Sequence, residues 1–314
     1  MDDRLRTLER TYGVFLRHEA RELGYDDKAV RNARRTKVWH RVRHGAYCFS
    51  DTWAAADPAG RHLILARAVM RSLAGRVALS HTSALVAHGV DVWGADLSRV
   101  HVTRLDAGAG RVEGDVVHHE GTLVENDLIV VNRMLVTAPV RAVLEAGTVL
   151  SVESGLVSTD SVLRLGVADP DELGGAYPEF SQWPGAQRLQ LVLRLADGRS
   201  ASVGETRSRH LFWTQNLPAP ELQFHVDDDR GRLIGITDFA WPEHGMLGEF
   251  DGKVKYGRLL KPGQTPGDVV FEEKRREDLL RETTGFGMGR IVWADLAQPV
   301  YTGARFAKLL RLSA

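Results

Sequence analysis

Leu233-Ile234-Gly235-Ile236-Thr237-Asp238-Phe239-Ala240-Trp241, then Pro242-Glu243-His244-Gly245, then Met246-Leu247-Gly248-Glu249-Phe250-Asp251-Gly252-Lys253 is the stretch that decides the fold of the carboxyl-terminal part of this chain. The first nine residues are largely apolar and alternate, which predicts a strand; Pro and Gly then mark a turn into a second strand from Met246. Side chains alternate across a strand, so residues 249, 251 and 253 share one face if the strand stays extended through Gly252. Asp238, Glu249, Asp251 and Lys253 are therefore expected in one small patch. Such a set of hard oxygen donors suits Mg2+, and an ammonium beside it would offset the charge of a scissile phosphate.

Working outward, Ser202-Val203-Gly204-Glu205-Thr206-Arg207 opens a helix through Trp213 that Pro218 and Pro220 end, with Glu205 in its first turn. Glu221 to Val226 reads as a strand, Asp227 to Gly231 as a hairpin turn, Phe271 to Thr284 as a charged helix stopped by Gly285, and Gly289 to Asp295 as a last strand. The order helix, three strands, helix, strand resembles the αβββαβ core of the PD-(D/E)XK nuclease superfamily. Residues 200–296 are similar in particular to the branch related to very-short-patch repair endonucleases. The resemblance implies a restriction-endonuclease-like domain in which Asp238 and Glu249 or Asp251 hold Mg2+, Glu205 assists by ligation or through water, and Lys253 orients the attacking water. Its pattern asks for Lys two residues after the second carboxylate. Counted from Glu249 that position is Asp251, and counted from Asp251 it is Lys253, so both registers stay open, as does a fold that keeps these residues without cleaving DNA.

The 314 residues suffice for two or three domains, each with its own core. Lys plus Arg equals Asp plus Glu at 41 each, so attraction to a polyanion must come from a local patch. The start Met-Asp-Asp-Arg-Leu-Arg is charged where a secretory signal would be apolar, and the chain has no uninterrupted apolar run of membrane-spanning length; a cytoplasmic protein is expected. The single cysteine, Cys48, excludes an internal disulfide and a cysteine-based zinc cage.

That local patch lies near the amino terminus. Lys28, Arg31, Arg34, Arg35, Lys37, Arg41 and Arg43 fall within sixteen residues that hold no acidic side chain. Helices are predicted over Leu5–Tyr12 and Leu16–Leu23, Gly24 closes the second, and Asp26 or Asp27 caps a third that carries most of the charge. Trp39 to Phe49 alternates around Gly45 as a hairpin or wing. Three short helices, the third basic, and a wing make a winged helix-turn-helix whose third helix enters the major groove of double-stranded DNA. Lys28, Arg31 and Arg35 share a face with Arg34 beside them; Arg31, Arg34 and Arg35 are expected to reach the groove, and Arg41 and Arg43 the phosphates.

Residues 13–49 resemble the winged helix of AbiEi-type antitoxins of type IV toxin–antitoxin systems. The segments Ala78–Leu85, Val100–Thr103 and Val136–Arg141 are similar to the middle domain of the same family. This resemblance implies a transcriptional autorepressor that binds its own promoter and counters a nucleotidyltransferase toxin. In that middle part, Ser80 reads as a helix N-cap with His81 in the first turn. Histidines 81, 88, 101, 118 and 119 share no close register with a carboxylate, which argues against a metal cluster, and sequence neighbours such as Ser80 and His81 are not expected to face one another as nucleophile and base. A tract rich in Gly, Pro and Asp over 166–185 reads as the main boundary. The whole is expected to be α+β: a winged helix over 1–75, a small α+β module over 76–168 and a nuclease-like domain over 185–314.

Overall fold

The computed structural model describes residues 3–73, 75–106, 108–252 and 266–312, of which 266–271 and 273 are described by their backbone alone. Lys253, with its assigned role at the phosphate, lies outside the described residues. The protein is α+β and divides into two compact units, residues 1–158 with 165–194, and residues 159–164 with 195–314.

The first unit begins with three short helices, α1 (Asp3–Tyr12), α2 (Arg17–Glu22) and α3 (Asp27–Arg35), and three strands, β1 (Phe15–Leu16), β2 (Trp39–Arg43) and β3 (Ala46–Phe49), ordered β1-β3-β2. Asp26 caps α3 by accepting from the Ala29 N–H at 2.7 Å, and Gly24, in the left-handed region, ends the turn before it. Leu5, Phe15, Ala20, Val30, Trp39, Tyr47 and Phe49 form the core, which turns the alternation of residues 39–49 inward on one side. Buried Glu9 accepts from the Phe49 N–H at 2.7 Å, tying α1 to β3.

After α4 (Ser50–Ala55), the sixteen-residue α5 (Pro58–Leu73) joins this winged helix to a second sheet. Its Ile64 and Ala68 pack with Val14, Ala46 and Cys48, while His62 shares a hydrogen bond of 2.9 Å with the Ser83 hydroxyl. That sheet has six strands, β4 (Val77–Leu79), β5 (Val100–Arg104), β6 (Arg111–Glu113), β7 (Val116–His119), β8 (Leu128–Val131) and β9 (Met134–Thr137), ordered β6-β7-β5-β4-β9-β8. Helices α6 (His81–Ala87) and α7 (Pro139–Val149) follow β4 and β9, and α8 (Val152–Arg164), α9 (Pro170–Ala176) and α10 (Ala186–Leu195) complete the helical set. The Gly, Pro and Asp-rich tract supplies α9, whose start is closed by reciprocal hydrogen bonds between Asp169 and Glu172. The division between the units falls within α8 and after Arg194.

The second unit follows the expected order: α11 (Val203–Thr214), β10 (Glu221–Asp227), β11 (Leu233–Trp241), β12 (Met246–Asp251), α12 (Pro266–Thr284) and β13 (Gly287–Val292), then the short α13 (Trp293–Leu296) and α14 (Pro299–Leu309). The sheet runs β10-β11-β12-β13, with the first three strands antiparallel and β13 parallel to β12. One face holds Leu211, Phe212, Phe239, Trp241, Ile291 and Phe306, and the other holds Val226, Ala240, Leu247 and Leu280. Gly204 in α11 is required by packing, since a Cβ there would lie 1.9 Å from the Phe250 ring. Among the described residues no helix is long and apolar enough to cross a membrane.

Candidate functional site

The basic residues of α3 emerge on one exposed surface because Val30 alone of that helix is buried, turned toward Trp39 and Phe15. Lys28, Arg31, Arg34, Arg35, Lys37 and Arg41 are all exposed. Arg31, Arg34, Arg35, Lys37 and Arg41 line an open groove of about 760 Å³ whose floor includes Trp39, His40, Ser50 and Trp53. His40 stacks on Trp53 with ring centroids 4.1 Å apart, and its burial holds the imidazole below its usual pKa, with Arg61 adding to that. The wing thus presents a neutral aromatic floor between cationic walls. Arg35 donates to Asn32 at 2.8 Å, and among the described residues Arg31, Arg34, Lys37 and Arg41 make no ion pair. Arg43 differs: it is partly buried and pairs with Asp115 at 3.2 Å, linking the wing to the loop before β7.

The carboxylates of the second unit are placed by the sheet. The β11–β12 register that pairs Phe239 with Gly248 sets Asp238 beside Glu249. Asp238 accepts from the Phe250 N–H at 2.7 Å through Oδ2. Glu249 is 8 % exposed, forms an ion pair with Arg276 of α12, and lies 3.7 Å from Arg290, its direct partner on β13. Arg290 also pairs with Glu277 at 2.8 Å. Burial pushes the Glu249 pKa up against the pull of Arg276, and the Asp238 charge adds to the rise. Asp251 ends β12 with a partly buried side chain. Glu205 caps its own helix region: its carboxylate accepts from the Ala201 N–H at 2.8 Å, the Ser202 hydroxyl at 2.9 Å and the Gln223 amide at 3.0 Å.

These contacts bear on the fit to Mg2+. A divalent ion needs several oxygen lone pairs aimed at one point, whereas Glu249 faces guanidinium groups and Glu205 is engaged by three donors. Among the described residues no three His, Cys, Asp or Glu side chains converge to hold a metal ion. Of the four described carboxylates, Glu249 and Glu205 are thus held by protein donors in this arrangement.

Three of the middle histidines come together in the fold. His81 and His119 stack with centroids 3.6 Å apart, His101 Nδ1 lies 2.8 Å from His119 Nε2, and His81 Nδ1 is 3.6 Å from the buried Glu145 carboxylate. The tertiary fold brings together residues that share no local register. The Ser80 hydroxyl makes no cap hydrogen bond and instead meets His81 Nδ1 at 3.0 Å, while the His81 N–H donates to Glu145 at 3.3 Å. Ser80 and His81 do face one another, made possible by the left-handed backbone of His81 (φ 51°), but both are buried. Burial holds His101 and His119 down to about 4.

Compared with curated proteins, the chain finds no match. Residues 3–50, which span α1 to β3 and so contain the basic helix and wing, match the family model described as "Transcriptional regulator, AbiEi antitoxin", as the resemblance of residues 13–49 leads one to expect.

Proposed function

We propose that this protein is a transcriptional regulator of antitoxin type that binds double-stranded DNA, with α3 in the major groove and the wing against the backbone. The observation that carries this reading is the row Lys28, Arg31, Arg34 and Arg35 on the exposed side of α3, continuous with Lys37 and Arg41. Phosphate neutralisation needs several cations on one accessible surface, and guanidinium forks also read guanine edges. The match of residues 3–50 to antitoxin regulators supports the same reading. Its finer part is a toxin partner, expected to be a nucleotidyltransferase encoded beside this gene. The test is a mobility shift of the full chain on DNA from upstream of its own gene, against scrambled DNA of equal length. Preferential retardation of the upstream fragment supports a regulator; equal or absent retardation counts against it.

A second reading concerns the αβββαβ unit. Asp238 beside Glu249 supports kinship with nucleases, and Arg276 and Arg290 at Glu249 support a fold used for contacts with partners over one that cleaves. Incubation with supercoiled plasmid and Mg2+ or Mn2+ separates the two. Cutting that Asp238→Ala abolishes would favour a metal-dependent endonuclease, and intact plasmid favours the inactive fold.

A further inference from the structure

A cavity of about 350 Å³ in the first unit is lined by Tyr12, Arg67, Arg71, Arg133, Met70 and Met134, among others. Its size falls at the small end of the roughly 300–1,000 Å³ range of small-molecule sites. Three arginines line one concavity together with an aromatic ring, the Asn132 amide and apolar side chains. Arg71 is neutralised by Glu19 and also donates to the Val14 carbonyl at 2.8 Å. Arg67 and Arg133 have no ion pair among the described residues, so the cavity carries uncompensated positive charge.

Two features hold these groups in place. Arg67 lies tight against Gly13, where a Cβ would come within 2.3 Å of its Cδ, and Gly13 itself has a left-handed backbone (φ 77°). Arg133 is the second residue of the two-residue turn joining β8 to β9, and both turn residues are left-handed, Asn132 at φ 48° and Arg133 at φ 67°. Such hairpin turns favour Asn then Gly, and a long side chain at the second position is strained. Here the strained residue carries a guanidinium that sits 5.8 Å from the centre of the Tyr12 ring, with that of Arg71 at 4.5 Å.

We propose that this cavity binds a small organic phosphate, with its anion on Arg67 and Arg133 and a flat apolar group against Met70 and Met134. The Tyr12 ring is engaged by the guanidinium groups of Arg71 and Arg133, and the paired Arg71 leaves the charge of the other two for the ligand. The site is independent of the DNA-binding face of α3.

Calorimetric titration of the full chain with phenyl phosphate, AMP and GMP, with inorganic phosphate and adenosine as controls, tests the proposal. At least one aromatic phosphate should bind at millimolar concentration or below, and more tightly than either control. Arg67→Gln and Arg133→Gly should each weaken it about tenfold or more, the loss of one charge-assisted contact. Arg133→Gly also relieves the turn, so its melting temperature should equal or exceed that of the parent, which separates lost binding from lost folding. Failure of all three aromatic phosphates to bind, binding no tighter than that of inorganic phosphate or adenosine, or unchanged affinity in the Arg67→Gln/Arg133→Gly double variant would overturn the assignment.

Discussion

Arg31 and Arg43 belong to the same run of cations and have different surroundings. Arg31 is exposed on α3, and Arg43 is spent on Asp115 within the fold. Arg43→Ala should therefore lower stability by roughly 0.5–1 kcal/mol, as expected for a partly exposed ion pair, and leave the salt dependence of DNA binding largely unchanged; urea denaturation beside a binding titration checks both. The histidines give a second prediction at this scale. His101 and His119, near 4 when folded against an ordinary 6.5, bind fewer protons in the folded state than in the unfolded one. Their contribution to stability is complete above about pH 6.5 and is lost as pH falls from there toward 4. Up to roughly 3 kcal/mol per imidazole is at stake. Melting temperature should fall between about pH 7 and pH 5, and His119→Gln should flatten that fall; an unchanged slope would mean that the cluster does not govern it. The cluster was not legible in the sequence because His81, His101 and His119 sit on α6, β5 and β7, and only the sheet order brings them together.

At the scale of elements, periodicity and punctuation were enough for most of what positions the candidate sites. Asp26 before a basic run, Gly24 before it and alternation around Gly45 lead directly to α3 and the wing. Replacing Asp26 with Ala should cost about 1 kcal/mol by removing the cap, and should weaken DNA binding only through that instability. Helix α5 carries no single amphipathic signal in the sequence, for a physical reason. Its buried residues, His62, Ile64, Ala66, Ala68 and Val69, do not form one stripe because the helix packs on the wing core with Ile64 and Ala68 and reaches Ser83 with His62. In the second unit, alternation and the Pro242–Gly245 turn placed Asp238 beside Glu249, but the arginines that occupy Glu249 come from α12 and β13 and carry no local signal. Gly204→Ala should destabilise that unit by about 2 kcal/mol or more, since overpacking must displace the Phe250 ring. A thermal melt that leaves Gly204→Ala unaffected would contradict the close approach of α11 to β12.

For the whole molecule, equal numbers of acidic and basic residues conceal a division of labour. The amino-terminal cations are concentrated on an accessible helix and wing, whereas Arg276, Arg290 and Arg209 in the second unit are committed to carboxylates. Affinity for DNA should therefore follow the first set and be strongly electrostatic. The decisive measurement is the slope of log affinity against log salt for the full chain on its upstream DNA and on scrambled DNA, for the parent and for the Arg31→Ala/Arg35→Ala variant. Each lost phosphate contact reduces the magnitude of that slope by about 0.9. A steep slope in the parent, with weaker binding and a reduced preference for the upstream over scrambled DNA in the variant, is the result predicted. Equal affinity and equal preference for the two proteins would contradict α3 as the DNA-binding helix.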